Sequence, residues 1–281
     1  MSLPVKKIYV DSRMKTKDSK SDSDFRFELS QSLTMPKNAT CYIDDITIPH
    51  SWYNVDFTNN KLYMYANHGT ESTFVCMSLN VGNYNGPTLA TKLNELFNGM
   101  PGGPYYLSAS FSLNTNQLNI STNSGQTGFK IFPDFELKEM YHEGSWHGPS
   151  YDPNNLCSIN QLIQNTNDYT QNYNSGKIYQ TGFMNFNGLR KLYLCSPNLC
   201  SLSVLGPNGA PSNIVKKVPV TSDYGYNIFY GSSIAHDYIE CSKQTWKTLE
   251  FQLQDVFGNN INLNNNPISF SIILSTINED L

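Results

Sequence analysis

The strongest constraint in this sequence is a repeated pattern of short runs in which apolar and polar residues alternate. The runs are rich in β-branched and aromatic residues, and they stop at Asn, Gly, Pro or Ser. A period of two is typical of strands with one buried face, and the breaks supply turns. The pattern predicts a mainly β chain with strands at 25–29, 40–48, 61–66, 73–79, 105–113, 117–122, 129–132, 190–195, 214–220, 226–230, 238–241, 248–253 and 268–275.

One segment has helical rather than strand periodicity. Between Pro87 and Gly99, leucines and a phenylalanine recur on one face, and Pro and Gly are favoured at the start and the end of a helix. We expect a short amphipathic helix at 87–98 that packs on the sheet. A second, weaker helical pattern covers 158–164.

Charge is scarce in the 281 residues: 15% are charged and the formal net charge is −4. A near-neutral chain gives no general attraction for nucleic acid, so specific nucleic-acid binding is not expected. No apolar stretch is long enough for a membrane span, and the first ten residues contain no secretory signal. We therefore expect a soluble protein made in a reducing compartment, the cytoplasm or nucleus, with its six cysteines mostly reduced.

Four segments are predicted from these patterns. Residues 1–23 are polar and charged, which is typical of an N-terminal arm that orders only with a partner. Residues 24–140 form the first part of a β sandwich, 141–180 an irregular loop or insertion, and 181–281 the strands that complete the sandwich. Two small β domains in series remain an alternative.

Reactive groups do not converge on a recognisable site. The sequence has no Gly-x-Ser-x-Gly motif, and pairing Cys157 or Cys195 with His142 or His236 is only one of many combinations. Asp44 and Asp45 are adjacent in a strand and should point to opposite faces. The sequence therefore predicts no catalytic, cofactor or metal site; a polar cluster is interpreted as a solvated loop, and its members are Asp134, Glu136, Glu139, His142, Glu143 and His147.

Three stretches carry a family resemblance. The first is Tyr9 to Arg13, followed by the runs 23–25, 27–29, 41–46 and 48–53. The second is Gly82-Asn83-Tyr84 with the helix that follows and the hairpin of 111–113 and 118–120. The third is 249–255 with 258–259, 263 and 269–272. Together they resemble the penton, or minor capsid, proteins of Polinton/Maverick elements, adintoviruses and virophages.

The resemblance implies an all-β jelly-roll sandwich with one short helix and an irregular inserted segment. It also implies a non-enzymatic structural protein of the virion. Such a protein forms homopentamers at the fivefold vertices of an icosahedral capsid, next to a double jelly-roll major capsid protein, with no cofactor. Our candidate assembly contacts, or residues that support them, are Asp11, Arg13, Trp52, Tyr53 and Asp255. Removal of 1–23 is expected to weaken assembly and leave the β fold intact.

A different class of function stays open at this stage. The 18 tyrosines and three tryptophans offer faces for sugar rings. The alternative is therefore a carbohydrate- or receptor-binding β module of a viral fibre or appendage, with its binding loops at 142–179.

Overall fold

The structure is a computed structural model that describes residues 6–57, 59–68, 70–100, 106–122, 127–132, 134–145, 178–184, 186, 188–199, 204–231 and 238–276. The chain divides into two compact units. The first combines Met1–Trp52 with Leu189–Leu281, and the second is Tyr53–Gly188. The first unit is thus built from both ends of the chain, and the second is inserted between them.

The described elements follow the predicted strand pattern. In chain order they are β1 (Lys6–Asp11), a 3-10 turn (Ser12–Met14), β2 (Asp24–Thr34), β3 (Ala39–Pro49), β4 (Lys61–His68), β5 (Glu71–Ser78), α1 (Gly86–Asn98), β6 (Leu107–Ser112), β7 (Gln117–Thr122), β8 (Thr127–Ile131), α2 (Asp134–His142), β9 (Ile178–Gln180), β10 (Lys191–Cys195), β11 (Val204–Leu205), β12 (Pro211–Ser212), β13 (Ile214–Pro219), β14 (Asn227–Gly231), β15 (Ile239–Glu240), β16 (Thr245–Gln254) and β17 (Ser269–Thr276).

Two antiparallel sheets form the sandwich of the first unit, which also contains the two-stranded β11-β12 sheet. One has the order β1-β17-β3-β14, with β15 also paired to β3, and the other has the order β13-β10-β16-β2. When its eight long strands are numbered one to eight along the chain, the sheets read 1-8-3-6 and 5-4-7-2. This interleaving of early and late strands is the double-sheet arrangement of a jelly roll. The expected all-β jelly-roll class is confirmed.

Alternate residues of both sheets meet in one core. Ile43 and Ile48 of β3 and Ile272 of β17 come from one sheet, and Leu192 of β10 and Phe251 of β16 come from the other; all are at most 1% exposed. Phe251 packs against Phe25 and Phe270 with ring centroids 5.5 and 4.8 Å apart. The sequence's period of two is therefore the alternation between this core and the outer faces.

The N-terminal segment is part of the sandwich, which corrects the expected arm at 1–23. β1 pairs with β17 over its whole length, from Lys6 with Leu274 to Asp11 with Ser269. Beyond the 3-10 turn, the Thr16 N–H donates to the Arg26 carbonyl at 2.9 Å and covers part of the β2 edge. A charged segment can order here because Val10 is buried and Lys15 and Asp22 neutralise each other.

A β-bulge in β3 corrects the expectation that Asp44 and Asp45 face opposite sides. Ile272 pairs with Ile43 and Phe270 with Ile46, so β3 has one more residue than β17 between these pairs. Both isoleucines are buried, and both aspartates between them are half-buried. The extra residue breaks the alternation, so neither carboxylate points into the core.

The second unit contains two three-stranded sheets, β5-β4-β8 and β6-β7-β9, with α1 packed on β6. Helix α1 lies where the sequence placed it. Its N-cap is Asn85, whose side chain accepts from the Thr88 N–H at 2.9 Å while the Thr88 hydroxyl accepts from the Asn85 N–H. Leu89 and Leu93 are buried against the sheets. The capping box and the apolar stripe explain why this segment is helical.

Helix α2 replaces part of the expected solvated loop. Leu137 is fully buried, and Met140 packs with it against Tyr63 and Phe132. Because Leu137 and Met140 are three residues apart, both face the sheet from one side of the helix. Glu136 on the same helix forms an ion pair with Lys130. The weaker helix at 158–164 and most of 141–180 lie outside the described residues.

Candidate assembly surface

The outer side of the β1-β17-β3-β14 sheet carries aromatic residues. Val10, Ile48 and Ile228 point into the core, so their strand neighbours point outward. The register places Phe229 of β14 opposite Thr47 of β3, and Tyr9 of β1 opposite Ser271 of β17. Tyr238 precedes β15 and stacks edge-on against Tyr42 at 5.2 Å. We call Tyr9, Tyr42, Phe229 and Tyr238 the aromatic face.

Three of these side chains are open to solvent. Tyr9 is 72% exposed, Phe229 68% and Tyr238 47%. The outer face of an antiparallel sheet in a monomer is normally polar, so large exposed aromatic side chains there point to an interaction site. Tyr42 and Tyr238 are in contact, whereas Tyr9 and Phe229 lie on the two edge strands, β1 and β14, with β17 and β3 between them. The aromatic face therefore has the composition of a surface that another molecule covers.

The charged groups beside the aromatic face neutralise each other. Lys7 Nζ lies 3.0 Å from Asp44 Oδ2 and 5.3 Å from the Tyr9 ring centroid. The hydrogen bond to Asp44 raises the pKa of Lys7, although burial opposes it. Burial raises the pKa of Tyr42, helped by the Asp44 charge. Lys7 and Tyr42 thus keep their ordinary protonation states at neutral pH, and the pair adds little net field.

The outer side of the β13-β10-β16-β2 sheet is polar and has its own ion pairs. Arg26 of β2 lies 2.6 Å from Asp18 and 2.9 Å from Glu250. On the same strands, Lys247 Nζ lies 3.2 Å from Glu28. The two outer sides of the jelly roll therefore differ: one is aromatic, and the other is charged, with ion pairs along β2 and β16.

Asp11 and Arg13, predicted as assembly contacts, bind each other. The Asp11 carboxylate accepts from the Arg13 backbone N–H at 2.9 Å and from its guanidinium at 2.9 and 2.5 Å. This hydrogen bonding lowers the pKa of Asp11 and raises that of Arg13. The pair holds the turn after β1. The Arg13 side chain is still 71% exposed, so it can also reach a neighbour.

Trp52 and Tyr53 differ in burial, although they are adjacent in the sequence. Trp52 is 7% exposed, belongs to the sandwich core and stacks on His50 with centroids 4.2 Å apart. The His50 ring nitrogen in turn contacts the Ser222 carbonyl at 2.7 Å. Tyr53 starts the inserted unit and is 37% exposed. Trp52 can therefore support an assembly contact only indirectly, through the core. The exposed part of the Tyr53 side chain can contact another subunit directly.

Asp255 organises the tight turn after β16. Its Oδ1 accepts from the backbone N–H groups of Phe257 and Asn259 at 2.8 and 2.9 Å, and its Oδ2 accepts from the Asn259 side chain. Gly258 has a φ of +87°, which favours glycine. The turn presents Phe257, 84% exposed, at its tip. Asp255 is a positioning residue, and Phe257 is the side chain that the sequence reasoning overlooked.

Phe229 and Tyr238 were also missed as surface candidates. The signal was present in the predicted strands, because both alternate with buried Ile228 and Ile239. In each strand both alternate sets contain an aromatic or aliphatic residue, so alternation alone did not say which of them faces the core. The described residues contain no group of three or more His, Cys, Asp or Glu side chains placed to hold a metal ion. Among them, no helix is long and apolar enough to cross a membrane.

Comparisons with known proteins agree with the fold. No family model matches the chain, and no curated protein matches it. Among solved structures it is similar to the mavirus penton protein, with a TM-score of 0.53 and 9% identity over 97% of this chain and 100% of that one. The resemblance noted in the sequence is therefore confirmed at the level of the fold, along nearly the whole chain.

Proposed function

We propose that this chain is a structural penton, or minor capsid, protein that forms homopentamers at the fivefold vertices of an icosahedral capsid. Its neighbours there are trimers of a double jelly-roll major capsid protein. It acts through protein contacts rather than by catalysis, and it belongs to the virion. Asp11, Arg13, Tyr53 and Asp255 contribute to or support these contacts, and Trp52 supports them from the core.

One observation carries the proposal. The jelly roll together with its inserted unit matches a penton protein over its full length, not only over the common sandwich. Jelly rolls occur in lectins and enzymes as well as in capsids, so the sandwich alone would say little. A likeness that covers 97% of this chain, and so includes the inserted unit as well as the jelly roll, is more specific.

The surface chemistry is compatible with a ring. Closed rings use heterologous contacts, so each subunit needs two different surfaces. This jelly roll offers an aromatic outer side with Tyr9 and Phe229 and a polar outer side with Arg26 and Glu250. The pairs Lys7–Asp44 on the first side and Arg26–Glu250 on the second limit the desolvation cost of burying these charges.

The test is the mass and symmetry of the purified protein. We expect native mass spectrometry to give five copies, and negative-stain images to show fivefold symmetry, alone or after mixing with the major capsid protein. A chain that remains monomeric under both conditions, or that forms trimers and binds a glycan on an array, contradicts the proposal. The trimeric, glycan-binding result would favour the appendage alternative.

A further inference from the structure

We propose that the aromatic face of one copy is a subunit contact that packs against a second copy of this chain. This inference rests on the proposed homo-oligomer and specifies which surface forms it. The face consists of Tyr9 on β1, Tyr42 on β3, Phe229 on β14 and Tyr238 before β15. The occupant is another copy rather than the major capsid protein.

The exposed aromatic side chains supply about half of the area that one side of a stable contact needs. Buried aromatic side chains each remove about 150–250 Å² from water. Tyr9, Phe229 and Tyr238 are each about half to three quarters exposed, so together they offer on the order of 400 Å² before any neighbouring residue is counted. A stable interface buries about 800 Å² on each partner. The face thus supplies a large part of one side of such an interface.

The composition favours a self-contact. Homo-oligomer interfaces are more apolar than contacts between independently stable proteins, and they are enriched in Tyr and Phe and depleted of charge. The charged groups beside the face, Lys7 and Asp44, are already paired at 3.0 Å. A partner therefore does not need an opposing charge, which fits a permanent contact between copies.

The face is preorganised. Phe229 and Tyr9 lie on strands whose backbones are fixed by pairing with β3 and β17, and Tyr42 and Tyr238 hold each other edge-on. Rigid aromatic side chains lose little conformational freedom on binding, so more of their contact energy remains as affinity. Such residues are the usual hot spots of an interface.

A double variant tests the contact in the full chain. Tyr9→Ser with Phe229→Ser removes the two most exposed members of the face. Phe57→Ser with Leu113→Ser is the matched control, because both are similarly exposed, at 74% and 78%, and lie in the inserted unit. We expect the face variant to weaken self-association by roughly 30-fold or more, a loss of about 2 kcal/mol, as for a hot spot. Sedimentation velocity over a concentration series measures it.

A second measurement needs no substitution. Hydroxyl-radical footprinting of the wild-type oligomer and of the monomer obtained on dilution compares oxidation rates residue by residue. We expect Tyr9 and Phe229 to be protected on assembly and Phe57 to stay as reactive as in the monomer. This footprinting measurement tests the contact even if the face variant does not fold.

The outcomes separate this contact from the proposed function. If the wild type forms pentamers and the face variant does so equally well, with no protection of Tyr9 and Phe229, the contact is wrong and the penton role stands. If these residues are protected only when the major capsid protein is added, the occupant is that protein and the self-contact is wrong. A wild type that never self-associates overturns both.

Discussion

The Ser12 hydroxyl donates to Asp22 Oδ1 at 2.9 Å and accepts from the Ile268 backbone N–H at 3.0 Å. Ser12 itself is fully buried, and its own N–H donates to the Ile268 carbonyl. One side chain thus ties the turn after β1 to the segment before β17 and to the loop before β2. This junction integrates the N-terminal residues into the jelly roll.

Ser12→Ala should destabilise the first unit by about 1–3 kcal/mol, because it leaves the buried Ile268 N–H without an acceptor. Urea unfolding followed by fluorescence measures the change. Ser30→Ala, on the exposed part of β2, is the matched control and should change stability by less than about 0.5 kcal/mol. Equal stability of the two variants would show that the junction is not structurally important.

Removing residues 1–11 should damage the fold itself, in contrast to the removable arm that the sequence suggested. The deletion takes away β1, unpairs the edge of β17 and loses the burial of Val10, which alone is worth roughly 1.5–3 kcal/mol. Circular dichroism and thermal melting report the loss. Deletion of residues 1–5, which ends before β1, is the control. If the 1–11 deletion melts at the same temperature as the wild type, the prediction of an independent N-terminal arm is correct after all.

Gly86→Ala should destabilise the inserted unit by about 1–3 kcal/mol through overpacking. A Cβ at Gly86 would overlap the ring of Phe111, which packs against the core of this unit and lies 6.0 Å from Phe186. Gly99→Ala at the other end of α1 is the control, since its Cβ would meet only carbonyl oxygens at 3.7 Å. Thermal melting of both variants gives the comparison, and an unchanged Gly86→Ala would mean that the Phe111 ring moves without cost.

The Asp11 carboxylate should make stability depend on pH in acid. Its pKa is lowered from 3.8 by the hydrogen bond from Arg13, so the ionised form stabilises the folded state. This contribution is complete above the unfolded-state pKa and is lost as pH falls through the lower folded-state pKa. The stability difference between the wild type and Asp11→Asn should therefore be constant near neutrality and shrink below about pH 4. Denaturant midpoints from pH 7 to pH 2 measure this difference, and a gap that does not close in acid would contradict the expectation.

Asp255→Ala should loosen the turn that carries Phe257, because two backbone N–H groups lose their acceptor. The global cost is about 0.5–1.5 kcal/mol, as for one exposed hydrogen-bonded turn. Hydrogen exchange of the Phe257 and Asn259 amides should accelerate strongly, while amides of β17 keep their protection. If the turn also contacts a neighbour, the oligomer weakens as well. Unchanged exchange at both amides would contradict the role of Asp255.

The sequence predicts strand content well because most sandwich strands show one alternating apolar set. It does not reveal that β1 belongs to a sheet, since only Val10 of that charged strand is deeply buried and its partner β17 lies at the far end of the chain. Nor does it reveal the bulge at Asp44 and Asp45, because an extra residue is detected only against the paired strand.

The assembly contacts predicted from the sequence are polar and aromatic residues within the stretches that carry the family resemblance. Asp11, Arg13 and Asp255 bind within their own turns, and Trp52 is in the core. The exposed aromatic residues Phe229 and Phe257 were not selected, because exposure depends on which side of a strand the rest of the fold covers. That information resides in the pairing of distant strands, not in any local pattern.

The position of the inserted unit affects how this protein is synthesised. The ribosome completes β1, β2 and β3, then translates all of Tyr53–Gly188 before any strand that pairs with β3 emerges. At about 5–20 residues per second, that delay is on the order of ten seconds. During this delay β1, β2 and β3 are outside the ribosome without the strands that they pair with. The strands of the insertion are translated consecutively and can pair with each other at once. Nascent chains should therefore gain protease-resistant structure in the insertion first, and chaperones have most to protect in the first fifty residues.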